Sequence, residues 1–532
     1  MTCCESAPMD SAGFTLADLP LPVITVEAGE LPALATQAEA ALRTSGLPIF
    51  QRGSSLVRPI RQDVPASGGR ITVAAGLREI TGAGMIDLLA QAAEWQRWDG
   101  RKKDLVACDP PSLVASVILS RAGSWTLPVI AGVITTPTLR PGGSVLTAPG
   151  YDSATRLYHV HDEGLILPPL PPAPTRADAE AGLQLLDGLL EGFPFVSGVD
   201  RAVGLSGLIT PVVRGAMTVA PLHAIRAHTA GTGKSFFTDL ASAIATGRPC
   251  PVVAAGQTEE ETEKRLVGLI LSAFPIISLD NVNGELGGDL LCQVIERPLV
   301  RVRPLGRSDI VELECRASLF ATGNGLRVRG DAVRRTLVSD LDANMERPET
   351  RSFTFDPVQR VLSDRGCYVA AALTVVRAYL HAGKPGCLAP VASFAEWSDH
   401  VRSALVWLGC DDPVASMEAA RDDDPELGEL RETMALWREH IGTDNGLTAR
   451  EIADQAARRL QDDQGHLTEV ATPDLLDALL RIAGERGGIN TKRLGKWLMR
   501  FEGRIVDAHQ LKRLSGVAHS GSPRWIVTRP KG

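Results

Sequence analysis

Lys234 and Ser235 close the run Ala230-Gly231-Thr232-Gly233 within the stretch "AHTAGTGKSFFTDLASAIATG", residues 227–247. A polyphosphate calls for this order of residue types. Backbone N–H groups at a helix N-terminus cradle phosphates where side chains are small, a Lys reaches the β- and γ-phosphates, and a hydroxyl holds Mg²⁺. Ala230, Gly231, Thr232, Gly233, Lys234 and Ser235 supply all of these parts, so ATP and Mg²⁺ are the candidate ligands. The spacing departs from G-x-x-x-x-G-K-[ST] at one position, where His228 replaces the first glycine. His228 stands at the entrance of the loop, where the chain leaves a strand and need not touch phosphate.

Other residues could complete the chemistry. The apolar run "FPIISLDN" ends in Asp280, an acid placed to hold Mg²⁺ opposite Ser235. "SLFATGN" brings Asn324 to the end of another apolar strand, where its amide can orient an attacking water. Arg334 and Arg335 follow, candidates for a charge that reaches the γ-phosphate of a neighbouring subunit. In "YHVHD", His159 and His161 alternate onto one strand face as two metal ligands would. With no third ligand identifiable, a solvated hairpin edge accounts for them.

These residues need elements to position them. "HAIRAHT" reads as a strand, and Phe236, Phe237, Leu240, Ala241 and Ile244 form a helical apolar stripe that stops at Gly247. Strands and helices then alternate through "PVVAAG", "TEEETEKRLVGLILSAF", "PIISLDN", "GGDLLCQVIER", "LVRVRPL", "DIVELECR", "ASLFATGN" and "RTLVSDLDA", which implies a mostly parallel sheet covered on both faces. The fold class is therefore multidomain α/β. A polar tail is expected over 1–19, an α+β domain over 20–164, a proline-rich extended linker over 165–177, and a P-loop core with a parallel sheet over 178–355. A helical lid or bundle follows over 356–440. Over 441–532, the helical stretches "LTAREIADQAARRL", "TPDLLDALLRIAGER" and "NTKRLGKWLMRFEG" precede two strands, the order of a winged helix. Its third helix carries Lys492, Arg493, Lys496 and Arg500, either as DNA contacts or as a solvated basic face.

The ordered set "GTGKS", "IISLDN", "RVRPLGRSD", "LFATGN" and "GDAVRRTL" resembles the AAA+ ATPase core of superfamily 3 helicases, in particular the primase-helicase proteins of prophages, plasmids and large DNA viruses. The resemblance covers roughly residues 200–400, and the C-terminal module is similar to the winged helix such proteins carry. It implies a hexameric ring that threads single-stranded DNA, with duplex DNA and a separate primase or polymerase as further candidate partners. It also implies that the loop between the third and fourth core strands lines the pore, where Arg301, Arg303 and Arg307 would grip phosphates. Two departures stand out. The family usually places an acid, the base for water, after the metal-binding Asp; here Asn281 stands there, leaving Glu285 or Glu259, Glu260 and Glu261 as substitutes. The first 200 residues also show no D-x-D pair and no cysteine-rich zinc element, so the chain is not read as a primase. The function expected is an ATP-dependent helicase or translocase of a mobile element. A nucleotide-gated DNA-binding switch and an ATPase of anti-phage defence are the alternatives.

Composition narrows the classes. With 44% hydrophobic and 22% charged residues, the 532-residue chain has the make-up of a globular protein, and its net charge of -8 creates no global basic field. Charge is instead segregated, with an acidic stretch at 409–432 and a basic end from Lys492 onward. The nine cysteines form no C-x-x-C pair, which fits a reducing compartment. Neither a bilayer-spanning apolar run nor a signal-peptide pattern is present, so a cytoplasmic protein is expected.

Overall fold

The structure is a computed structural model that describes residues 20–65, 71–250, 252–254, 256, 258–305, 310–443, 445–461, 467–517 and 522–530. The tail expected over 1–19 and Arg307 lie outside the described residues. The chain is a mixed α/β, multidomain protein with two compact units. The first comprises the chain up to Gly284 with Gly288–Leu326 and Arg335–Ser416; the second comprises Glu285–Gly287, Arg327–Arg334 and the chain from Met417. Among the described residues no helix is long and apolar enough to cross a membrane.

In the first unit, five parallel strands form the central sheet: β1 (Leu222–Ala227), β2 (Val252–Ala254), β3 (Ile276–Asp280), β4 (Ser318–Asn324) and β5 (Thr336–Leu341), in the order β2-β3-β4-β1-β5. Ile277, Leu279, Phe320, Ala321 and Leu337 are buried, as expected of strands covered on both faces. The flanking helices are α1 (Arg176–Gly188), α2 (Gly198–Val213), α3 (Lys234–Thr246), α4 (Glu259–Ser272), α5 (Asp289–Glu296) and α6 (Arg365–His381). Helix α3 stops at Gly247, which takes the left-handed conformation and returns its N–H to Ala243. The runs "LVRVRPL" and "DIVELECR" stay out of the sheet, as an antiparallel hairpin of Leu299–Val302 and Val311–Glu314.

The N-terminal part of this unit packs helices Leu31–Thr44, Gly82–Ala92 and Ser112–Ser120 around Leu42, Met85, Leu89 and Trp95, beside a three-stranded sheet. Arg52 ties it to the core: its guanidinium is buried and donates to the carbonyls of Ala131 at 2.8 Å and of Ile270, in α4, at 2.6 Å. The proline-rich stretch carries no helix or strand over 165–175, two residues short of the expected boundary because α1 already begins at Arg176 behind its cap Thr175, and it is held in place. Arg377 of α6 donates to the carbonyls of Pro171 at 2.9 Å and Pro172 at 3.2 Å. His159 departs from the expectation of a solvated pair. It is buried, with Nδ1 3.1 Å from the Ala148 carbonyl, and only His161 is exposed. The strand ends at His159, so the alternation that would align the two rings stops.

The second unit packs α7 (Pro425–His440) with α8 (Ala449–Ala456), α9 (Pro473–Ala483) and α10 (Thr491–Arg500). Strands β6 (Leu447–Thr448), β7 (Ile505–Val506), β8 (His509–Val517) and β9 (Pro523–Thr528) form an antiparallel sheet in the order β6-β9-β8-β7. Leu430, Trp437, Ile452, Leu479, Leu498 and Trp525 fill the core. Helix α8 begins with a capping box between Thr448 and Glu451. It ends a turn earlier than "LTAREIADQAARRL" suggests. Its buried stripe is complete at Ala456, Leu460 is 52% exposed, and Arg459–Gln461 instead pairs with Leu467–Val470.

Candidate functional site

Parallel strands place all their carboxyl ends along one edge, which is where an open α/β sheet binds ligands. Ala227 of β1 lies beside Asn324 of β4, and Ala254 of β2 beside Asp280 of β3, so the loops that leave these strands share that edge. Residues 228–233 connect β1 to α3 there. The turn requires Gly231 at φ 77° and Gly233 at φ 104°, conformations that cost a side chain bearing a Cβ. Gly233 is the N-cap of α3, so the N-terminal N–H groups of that helix face the loop.

Lys234 is buried at the first position of α3. Its Nζ donates to the Thr229 carbonyl at 2.9 Å and to Thr232 Oγ1 at 3.0 Å. Burial lowers its pKa, and the Asp280 carboxylate opposes that shift. Ser235 Oγ donates to Asp280 Oδ1 at 3.0 Å. Thr322, a residue the motif reading passes over, donates its hydroxyl to the same Oδ1 and accepts from the Asn281 N–H at 3.3 Å. A signal for it exists in "SLFATGN", since a hydroxyl two positions before Asn324 shares that residue's strand face. Gly323 lets the turn after β3 lie against β4, for a Cβ there would come within 2.2 Å of the Val282 carbonyl. Asn281 takes φ 53°, a left-handed conformation that Asn tolerates better than most residues. Asn324 Oδ1 is buried without a hydrogen-bond partner among the described residues.

A hydroxyl and a carboxylate side by side are hard oxygen donors. Mg²⁺ takes one or two such protein groups and fills its remaining positions with water and phosphate oxygens. Ser235 and Asp280 fit that requirement. Among the described residues, no group of three or more His, Cys, Asp or Glu side chains converges as a metal cage.

Of the remaining sequence candidates in the first unit, Arg335 lies at the opposite end of the sheet. Arg335 directly precedes Thr336, which pairs with Leu222 at the amino end of β1. A six-residue strand therefore separates it from the loop of its own chain by about 20 Å. Its guanidinium is buried and donates through Nε to Glu296 at 2.8 Å. Arg334 belongs to the second unit, is 43% exposed and pairs with Asp331 at 2.6 Å. Glu285, also in the second unit, pairs with Arg329 at 3.4 Å. Glu259, Glu260 and Glu261 open α4 behind the N-cap Thr258, and Glu260 pairs with Lys264 at 2.8 Å and Glu261 with Arg265. On the hairpin, Arg301 is exposed and pairs across strands with Glu312 at 3.0 Å, while Arg303 is exposed at the tip side.

In the second unit Asn490 caps α10 and accepts from the N–H groups of Lys492 at 2.9 Å and Arg493 at 3.0 Å. Leu494 and Leu498 are buried, which turns Lys492, Arg493, Lys496 and Arg500 to solvent. Arg493 also donates to the Gly484 carbonyl at 3.1 Å, and Arg500 pairs with Glu426 at 2.7 Å.

The segment after β5 adds residues that no motif singles out. Arg351 donates to the carbonyl of Thr232, inside the loop, at 3.0 Å and to that of Gly192 at 3.3 Å. The neighbouring Glu349 lies so close that a Cβ on Gly231 would meet its backbone nitrogen at 3.0 Å. A cavity of about 770 Å³ opens between this segment, the loop and residues 189–193.

No family model matches the chain, and no curated protein matches it. Among solved structures the chain is similar to the apo A form of the C-terminal region of NrS-1, with a TM-score of 0.34 and 11% identity over 88% of this chain and 96% of that one.

Proposed function

We propose that the chain is an ATP-driven DNA helicase or translocase of superfamily 3 type, acting as a hexameric ring on single-stranded DNA. The observation that carries this reading is the 3.0 Å hydrogen bond between Ser235 and Asp280, set beside buried Lys234 at the carboxyl edge of a parallel sheet. That arrangement supports binding of a nucleoside triphosphate with its phosphates along residues 230–235. Bound Mg²⁺ would neutralise charge on the β- and γ-phosphates. Lys234 Nζ, which now bonds its own loop, would turn to the phosphate oxygens, and the unpartnered amide oxygen of Asn324 would orient the attacking water. Of the two arginines considered for action in trans, Arg334 is the better suited, because Arg335 is buried against Glu296. Arg301 and Arg303 would track the strand in the pore, and the C-terminal unit, read as a winged helix, would contact DNA through α10.

ATP turnover with and without single-stranded DNA, with Lys234→Ala as the blank, tests this reading. Strong stimulation by DNA that the Arg301→Ala/Arg303→Ala double variant loses is the expected result. Turnover no faster than the blank would overturn the motor. Asn281 supports a second reading, a nucleotide-gated DNA-binding switch, because an amide cannot accept the water's proton. Asn281→Asp keeps a residue that tolerates the left-handed conformation and supplies a carboxylate. A marked rise in turnover with this variant would favour the switch.

A further inference from the structure

The cavity beside the loop is aromatic on its walls. Phe193 and Phe236 lie with ring centroids 6.4 Å apart and an interplanar angle of 28°, and Phe353 and Phe355 line the opposite segment. Phe353 is 57% exposed and carries the Arg351 guanidinium 5.0 Å from its ring centre. Gly231 and Gly233 of the loop open onto the same space, so a ligand whose phosphates follow the loop has its remaining part directed here. The volume lies within the range of small-molecule sites.

Most polar groups of this wall are already engaged, and Arg351 Nε, which has no hydrogen-bond partner among the described residues, is buried out of reach of a ligand. The two terminal nitrogens of Arg351 bond the carbonyls of Gly192 and Thr232. Asp356 caps the following helix by accepting from the Gln359 N–H at 3.0 Å, and Glu349 pairs with Arg347 at 3.3 Å. Glu191 at the rim is exposed to water. Ser352 and Thr354 remain, and a hydroxyl can turn to donate or to accept, so it fits an amino edge as well as a carbonyl edge.

We infer that this cavity takes the base of a nucleoside triphosphate by stacking on Phe236 and Phe353 without reading its hydrogen-bonding edge, so that the site accepts all four bases. The inference rests on the loop being the phosphate site. Every base has a π-face, which makes stacking on aromatic rings tolerant of base identity. An apolar pocket also discriminates weakly among ligands of similar shape. Purines, with the larger rings, are favoured over pyrimidines by no more than about tenfold.

The test is equilibrium binding of Mg²⁺-complexed ATP, GTP, CTP, UTP and inorganic tripolyphosphate to the full chain and to its Phe236→Ala, Phe353→Ala and Lys234→Ala variants. Both phenylalanines are partly exposed, at 38% and 57%, so their truncation should leave the fold intact. The expected result is four dissociation constants within about tenfold, each raised about 5-fold or more by either Phe variant, with tripolyphosphate affinity unchanged. A preference for ATP over GTP of about 100-fold or more, the mark of a read edge, would overturn the inference while leaving the phosphate site standing. So would Phe variants that bind all four nucleotides as tightly as the parent. If neither the nucleotides nor tripolyphosphate binds in a Lys234-dependent way, the phosphate-site reading fails and this inference with it.

Discussion

The carboxyl edge of the five-stranded sheet and the basic face of α10 hold cations in opposite ways. Lys234 is buried, and its ammonium is bonded to two oxygens of its own loop. Lys492 and Lys496 are exposed, and their ammonium groups make no hydrogen bond or ion pair among the described residues. A compact, multiply charged ligand is held by a few desolvated groups in fixed geometry, where each interaction is strong. A long polyanion is held by many solvated charges, each contributing a little through counterion release. Single substitutions should therefore be severe in one region and graded in the other.

Lys234→Ala gives the largest effect expected, a fall in ATP turnover of about 100-fold or more. Turnover within a few-fold of the parent would remove the contrast altogether. Burial at the sheet also has a pH signature. His223, fully buried in β1 with Nε2 2.9 Å from Ser206 Oγ, has its pKa pushed down to about 3. The unfolded chain takes up a proton below about pH 6.5 that the folded chain refuses, so this contribution is complete above pH 6.5 and lost as the pH falls towards 3. The loss should reach about 2 kcal/mol by pH 5, measured by denaturant unfolding, and should shrink in His223→Gln.

Thr322→Val tests whether the support behind Asp280 matters as much as the Ser235–Asp280 pair itself. Loss of the hydroxyl should weaken Mg²⁺-dependent nucleotide binding about tenfold, read from a Mg²⁺ titration, with Lys234 still in place. The smallest effects belong to α10. Lys492→Ala and Lys496→Ala should each weaken DNA binding a few-fold and reduce the slope of log K against log salt by about 0.9. Arg500→Ala should change the slope less, because Glu426 at 2.7 Å already offsets its charge. Equal slopes for all three would show that the ion pair with Glu426 opens on DNA.

The alternation of apolar strands and amphipathic helices from 222 to 341 is legible in the sequence because each element declares itself by periodicity and its own caps. Leu299–Val302 and Val311–Glu314 are equally legible as two strands, but not their exclusion from the sheet. That exclusion depends on antiparallel pairing of Arg301 with Glu312 and Val300 with Leu313, which no local pattern reports. His159 illustrates the same limit, since alternation predicts a face and says nothing of what the strand end packs against.

The sequence by itself determined the strand–loop–helix around Lys234, because glycine positions, helix start and spacing are properties of neighbouring residues. It also determined the basic character of α10. Only the tertiary structure decided that Thr322 braces Asp280, that Arg335 is buried against Glu296 while Arg334 is exposed, and that Arg351 and Phe353 close a cavity on the loop. Those contacts join residues far apart in the chain. They exist because the strand order β2-β3-β4-β1-β5 sets β4 between β3 and β1 and returns the chain after β5 to the same edge.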